Sequence, residues 1–167
     1  MAHMRNKRKR TCRQCKTVNL LTHSQLKKWS GFCNRSCKTT YNQNDIRWLT
    51  KTIQKEFNSL VASKGVCEKC GRGYTVMQCS HVWSIGSYSN LRFDILNTMC
   101  MCGRCHNFWW HLEPMESREW FAKKFPERDI YLKEVRNIVK PWTVEELHKI
   151  REAVKNKDLK ALVRFSP

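Results

Sequence analysis

The chain has 167 residues, 41% of them hydrophobic, enough for one ordinary domain or two small ones with little core to spare. Lys and Arg outnumber Asp and Glu by 32 to 14, a formal charge of +18 that exceeds what solubility requires and fits a polyanion binder, with nucleic acid as the expected partner. No run of about 18 apolar residues and no apolar leader segment occurs, which argues against a membrane span and against secretion and predicts a cytoplasmic protein.

The opening "MAHM" reads as an expression scar with the native start at Met4. A basic arm follows, "RNKRKR", whose Arg5, Lys7, Arg8, Lys9 and Arg10 are expected to lie along phosphates. Ten cysteines in a reducing compartment argue for metal rather than disulfides, because thiols stay free there and thiolates bind zinc. Cys12 and Cys15 form a C-x2-C pair, and Cys33 and Cys37 a C-x3-C pair, together the layout of a zinc knuckle. A helix is predicted from Asp45, because Ile46, Leu49, Ile53, Phe57, Leu60 and Val61 recur at steps of three and four along one stripe, and Gly65 ends it.

Cys67 and Cys70 then pair in spacing with Cys102 and Cys105, so a second zinc would close the insert between two knuckles. Cys79 and Cys100 are left over and read as small buried hydrophobes; Cys100 competes with Cys102, but the symmetric spacing favours Cys102. Inside the insert, Tyr74 to Trp83 predicts a strand ending near His81, "SIGSYSN" a loop, Leu96 to Met101 a second extended piece, and Cys102 to Leu112 a helix stopped before Pro114. Further helices are expected near 117–124, 127–139 (Leu132, Val135, Ile138, Val139) and 144–155 (Leu147, Ile150, Val154), the last opened by a capping box of Thr143 and Glu146. Four segments result: 1–44 with the arm and first knuckle, 45–64 as a connecting helix, 65–115 with the second zinc site, and 116–167 as C-terminal helices.

A zinc-clamped strand, loop, strand and helix that offers His81, Asn97 and His106 has the parts of a one-metal nuclease site. A histidine near its ordinary pKa can take a proton from water at neutral pH, which makes His81 the candidate general base. Phosphodiester cleavage also needs the phosphate charge neutralised by a divalent ion, for which His106 is the candidate ligand. An amide from the opposite strand can hydrogen-bond backbone and fix the loop, which suits Asn97. Arg92 is a candidate bidentate phosphate donor, or a partner for Asp94; Trp83 is a candidate DNA contact, whereas Trp109, Trp110 and Trp120 read as core.

His81, Asn97 and His106 resemble the signature of the HNH (ββα-metal) endonuclease superfamily, and "SHVWSIGSYSNLRFDILN" followed by C-x2-C is similar to the phage lambda NinG (Rap) family. The N-terminal cysteine knuckle and the tail "WTVEELHKIREA" extend the resemblance over most of the chain. It implies an α+β fold built on a small zinc-stabilised, treble-clef-like ββα-metal core, with an N-terminal zinc knuckle and a helical C-terminal region. It implies a general base at His81, a loop-orienting Asn97, a metal ligand at His106, two structural Zn2+ and a catalytic Mg2+ or Mn2+. The implied activity is structure-specific cleavage of branched recombination intermediates such as Holliday junctions and D-loops, in the cytoplasm of a bacterial host. A homodimer follows from the symmetry of a four-way junction. Two departures stand out. Ser80 occupies the place before the base where many members carry a metal ligand, so Asp94 is considered in its stead. A second histidine four residues after the third signature residue is frequent, but Trp110 stands there, and His111 lies about 140° away on an α-helix of 3.6 residues per turn. A sequence-specific nicking or homing nuclease, and a non-catalytic zinc-dependent DNA-binding accessory protein, are the competing readings.

Overall fold

The structure, a computed structural model, describes residues 7–165 and separates into two compact units, Met1–Leu49 and Thr50–Pro167. Among the described residues it is an α+β fold with two two-stranded antiparallel sheets, six α-helices, one π-helical turn and short 3-10 turns.

In the first unit, β1 (Arg8–Thr11) pairs with β2 (Val18–Leu21), with Arg8 opposite Leu21 and Thr11 opposite Val18. Arg8, Lys9 and Arg10, expected in a loose arm, are therefore strand residues with exposed side chains; Lys7 precedes them, and Arg5 lies outside the described residues. A four-residue strand that buries nothing has no apolar alternation to reveal it. The intervening turn carries Cys12 and Cys15 and closes through the Cys12 N–H on Thr17 O (2.9 Å) and the Lys16 N–H on Cys12 O (3.0 Å). Two short helices follow, neither predicted. α1 (His23–Trp29) opens with a Thr22/Gln25 capping box, and α2 (Arg35–Gln43) is capped by Asn34. Gly31, at φ 94°, takes a left-handed conformation natural to glycine, and its carbonyl accepts from the Arg13 N–H. The apolar interior is little more than Cys12, Leu21 and Phe32, with Tyr41 against Phe32, too small a core to hold this unit by itself.

The boundary between the units falls within α3 (Ile46–Ala62). Leu49, Ile53, Phe57 and Val61 of the predicted stripe are fully buried, Leu60 is half-buried, and Ile46 is exposed. In the second unit β3 (Met77–His81) pairs with β4 (Thr98–Cys102), with Met77 opposite Cys102 and His81 opposite Thr98. β3 starts three residues later than Tyr74, where the sequence suggested it would begin. β4 starts at Thr98 because Ile95–Asn97 is a 3-10 turn, capped by Asp94 Oδ1 accepting from the Leu96 N–H at 2.9 Å. A π-helical turn, Cys105–Trp110, follows where an α-helix was expected.

α4 (Pro114–Lys124) and α5 (Pro126–Val135) each start on a proline, whose fixed φ suits the first helical position. α5 stops at Val135, so Ile138 and Val139, expected on its stripe, are exposed. α6 (Val144–Asn156) has the predicted capping box and buries Leu147, Ile150 and Val154. Phe121, Leu132 and Val135 from α4 and α5 join Cys67, Val82, Leu91, Met99, Met101, Cys102 and Trp110 in one core. Arg151 of α6 pairs with Glu56 of α3 at 3.1 Å. The apolar faces of the C-terminal helices are thus used inside this unit. No helix among the described residues is long and apolar enough to cross a membrane.

Candidate metal centres and active-site cleft

The first unit brings Cys12, Cys15, Cys33 and Cys37 together, with all four sulfurs within 4.8 Å of one another. Cys12 and Cys15 come from the β1–β2 turn; Cys33 precedes α2 and Cys37 sits in its first turn, with its N–H on Asn34 Oδ1 at 2.8 Å. The sulfur separations of 3.7 Å (Cys15 to Cys33) and 3.4 Å (Cys33 to Cys37) approach the ~3.8 Å edge of a tetrahedron with Zn–S bonds of about 2.3 Å. Burial opposes ionisation of Cys12, but the backbone amides of Cys15, Cys33 and Gln14, with the Cys15 side chain, outweigh it and bring the thiol down to about 6. A thiolate surrounded by N–H donors is prepared for a cation.

The second unit gathers Cys67, Cys70, Cys102 and Cys105 in the same way. Cys67 and Cys70 lie on a turn closed by the Gly71 N–H on Cys67 O (2.8 Å) and the Cys67 N–H on Arg72 O (2.9 Å). Cys102 ends β4 and Cys105 starts the π-helical turn, and the Glu68 N–H bonds Cys100 O, tying the knuckle to the sheet. Both tetra-cysteine groups can hold a structural zinc ion. Cys100, the competitor of Cys102, is fully buried and points its thiol to Ala62 O at 3.7 Å, and Cys79 is half-buried across the sheet from it.

Between β3, the loop after it and the π-helical turn lies a cleft of about 400 Å³, whose lining includes His81, His106, His111 and Arg118. His81 Nε2 stands 3.3 Å from Arg92 O. A carbonyl only accepts, so Nε2 carries the proton and Nδ1 keeps its lone pair. Burial, with the positive fields of Arg92 and His106 adding to it, pushes the His81 imidazole down to about 4 even though its bond to Arg92 O favours protonation. The ring is neutral at physiological pH.

Asn97 is completely buried, and its side chain is used in full on the loop after β3: Oδ1 accepts from the Trp83 N–H at 2.8 Å, and Nδ2 donates to Trp83 O (3.1 Å) and Leu91 O (3.2 Å). The Val82 N–H bonds Asn97 O at 2.8 Å. Together these hold the main chain immediately after His81 in one conformation.

His106 Nδ1 bonds Gln78 Oε1 at 2.6 Å, which puts the proton on Nδ1 and leaves the Nε2 lone pair facing His111 Nε2 at 3.0 Å. Burial, and then the field of His111, shifts His106 below its ordinary value. His111 lies close to His106 in spite of the 140° separation of an α-helix. The turn is π-helical: the His111 N–H bonds His106 O, five residues back, so residues five apart stack. Sequence reasoning discounted His111 because it assumed α-helical winding.

Three expectations change. Asp94 is fully buried, with Oδ1 on the Leu96 N–H, and Oδ2 on the Tyr131 hydroxyl (2.6 Å) and the Arg164 N–H (3.2 Å). It does not line the cleft, and its full burial under these three hydrogen bonds keeps it from a ligand role there. Trp83 is no stacking platform, because Arg118 and Arg136 lie over its ring at 3.7 and 4.1 Å and Tyr88 meets it edge-on. Arg92 does not pair with Asp94; its guanidinium, of intermediate burial, donates to Gln54 Oε1 at 3.2 Å. Trp110 is buried in the core, Trp109 and Trp120 pack on it half-buried, and Ser80 is fully buried, away from any ligand role in the cleft. No family model, curated protein or solved structure matches this chain.

Proposed function

We propose that the chain is a metal-dependent DNA endonuclease of the HNH (ββα-metal) type, similar to the NinG (Rap) family, that cuts branched DNA. The observation that carries this reading is one cleft in which a neutral imidazole with an unprotonated Nδ1, His81, shares walls with the His106–His111 pair while Asn97 pins the loop between them. His106 and His111 would hold a divalent ion. The donor set fits, because His106 presents its Nε2 lone pair while Gln78 fixes its other nitrogen, as ligating histidines require. Two imidazole nitrogens and no carboxylate in the cleft suit Mn2+ or another transition ion better than Mg2+, which prefers oxygen. When bound, such an ion neutralises charge on the scissile phosphate.

In the proposed step His81 Nδ1 takes a proton from water, the water oxygen attacks phosphorus, and the bond to the 3′ oxygen breaks. The 3′ oxygen leaves with a solvent proton, giving 5′-phosphate and 3′-hydroxyl ends. Asn97 acts by position, keeping the chain that carries His81 still. The formal charge of +18 supplies attraction for the phosphate backbone. Two cuts across a four-way junction call for two sites, so the acting species is proposed to be a homodimer.

The test is cleavage of an immobile four-way junction and its matched linear duplex, with Mn2+ or Mg2+ added and then chelated. Metal-dependent cutting confined to the junction, reduced about 10²- to 10⁴-fold in His81→Ala, is expected. Binding without cutting by the wild type would favour the accessory-protein reading, and equal cutting of the duplex would favour a nicking or homing enzyme.

A further inference from the structure

A second concavity, of about 480 Å³, opens beside the Cys67/Cys70/Cys102/Cys105 group, and nothing in the cleavage chemistry uses it. Its walls carry Lys69, Arg72 and Arg104, with no acidic residue among the lining side chains, and two aromatic rings open to solvent, Tyr74 at 45% and Phe108 at 69% exposure. Singly scattered exposed apolar side chains are ordinary, but rings grouped in one concavity and rimmed by polar residues mark an interaction site. The other aromatic in the wall, Trp109, already has Lys69 over its face at 3.8 Å, which leaves Phe108 and Tyr74 as the free faces. Among the described residues no hydrogen bond or ion pair holds the Arg104 guanidinium.

We infer that this concavity binds a single-stranded nucleic acid segment, with an unpaired base stacked on Phe108 or Tyr74 and its phosphates drawn to Arg104 and Arg72. The chemistry selects that occupant. Cations attract phosphates, and flat exposed rings take the π-face of any base, whereas in a duplex those faces are already stacked. Zinc held by four thiolates carries two negative charges, so the three cations in the wall leave only a small positive excess. Stacking must therefore contribute much of the affinity. Phe108 and His106 belong to the same π-helical turn, which places this site one short segment from the proposed cleavage cleft. The role of leading an unpaired strand away from the cut rests on the nuclease reading; the binding itself does not.

Binding of a fluorescein-labelled oligothymidine and of a hairpin duplex is measured by anisotropy on the zinc-loaded chain, without added Mn2+ or Mg2+, across a salt series. Phe108→Ala is expected to weaken single-strand binding by about 5- to 150-fold, with little change for the duplex and with the salt slope unchanged. Phe108→Tyr restores binding, and Arg104→Gln lowers the salt slope by about 0.7. Zinc content is measured alongside, and if Phe108→Ala loses zinc, Tyr74→Ala on the knuckle wall decides. Wild-type affinity in both alanine variants, or equal losses for strand and duplex, overturns the site. Failure of the wild type to cut junctions would overturn the nuclease reading and leave this result standing.

Discussion

The general-base role proposed for His81 needs a free lone pair, and burial is what keeps it free. The folded-state value near 4 lies below the ordinary 6.5, so the ring stays neutral down to mildly acid pH. The acid limb of the cleavage profile should accordingly fall through about pH 4 to 5 rather than near 6.5, measured on junction DNA over that range. The same depression makes protonation oppose folding. The stability due to neutral His81 is complete above about 6.5 and is lost as pH falls through about 4, so His81→Gln should flatten the denaturant midpoint across that window. Asn97 is a matter of hydrogen bonds. Asn97→Ala leaves the Trp83 N–H and two carbonyls without their partner and should cost about 2–3 kcal/mol in urea unfolding, and the loss of cleavage should exceed what the fraction unfolded explains.

At the scale of elements, the π-helical turn decides most. Its five-residue hydrogen bond from His111 to His106 converts a spacing that is wrong for an α-helix into a facing pair of imidazoles. π-turns are rare and concentrate at functional sites, which accords with its place in the cleft wall. His111→Ala should raise the Mn2+ concentration needed for half-maximal cutting by about tenfold or more, with zinc content unchanged; an unchanged metal requirement would remove His111 from the proposed ligand set. α6 offers a purely structural contrast. Its capping box, Thr143 with Glu146, is further tied by Lys140 and Arg164 to the Glu146 carboxylate. Thr143→Ala should lower stability by about 1 kcal/mol and leave cleavage per folded molecule unchanged.

For the molecule as a whole, the two cysteine groups carry different weights. The first unit has only a handful of buried apolar residues around its four cysteines, whereas Cys67 and Cys102 sit inside a ten-residue core cluster shared by the sheet, α4 and α5. Structural zinc contributes about 10–16 kcal/mol at pH 7, comparable to or above the about 5–15 kcal/mol of a domain's net stability. Native mass spectrometry should find two zinc ions per chain. Cys37→Ser should remove one and unfold the first unit while the second still melts cooperatively. Cys67→Ser should remove the other and abolish that melting transition.

Much of this protein was legible in the residues alone. Cysteine spacing identified both tetra-cysteine groups, because C-x2-C and C-x3-C turns impose their own local geometry. The stripe of Leu49, Ile53, Phe57 and Val61 and the Thr143 capping box located α3 and α6, because helical periodicity and capping are short-range. Tertiary structure alone decided the rest. Asp94 and Trp83 look available in sequence, but Tyr131 and Arg164 come from 37 and 70 residues away to occupy the carboxylate, and Arg118 and Arg136 converge on the indole. His111 looked misplaced until the winding of one turn was known. Long-range partners and non-α winding leave no periodic trace in a sequence, since both are set by how separate segments pack.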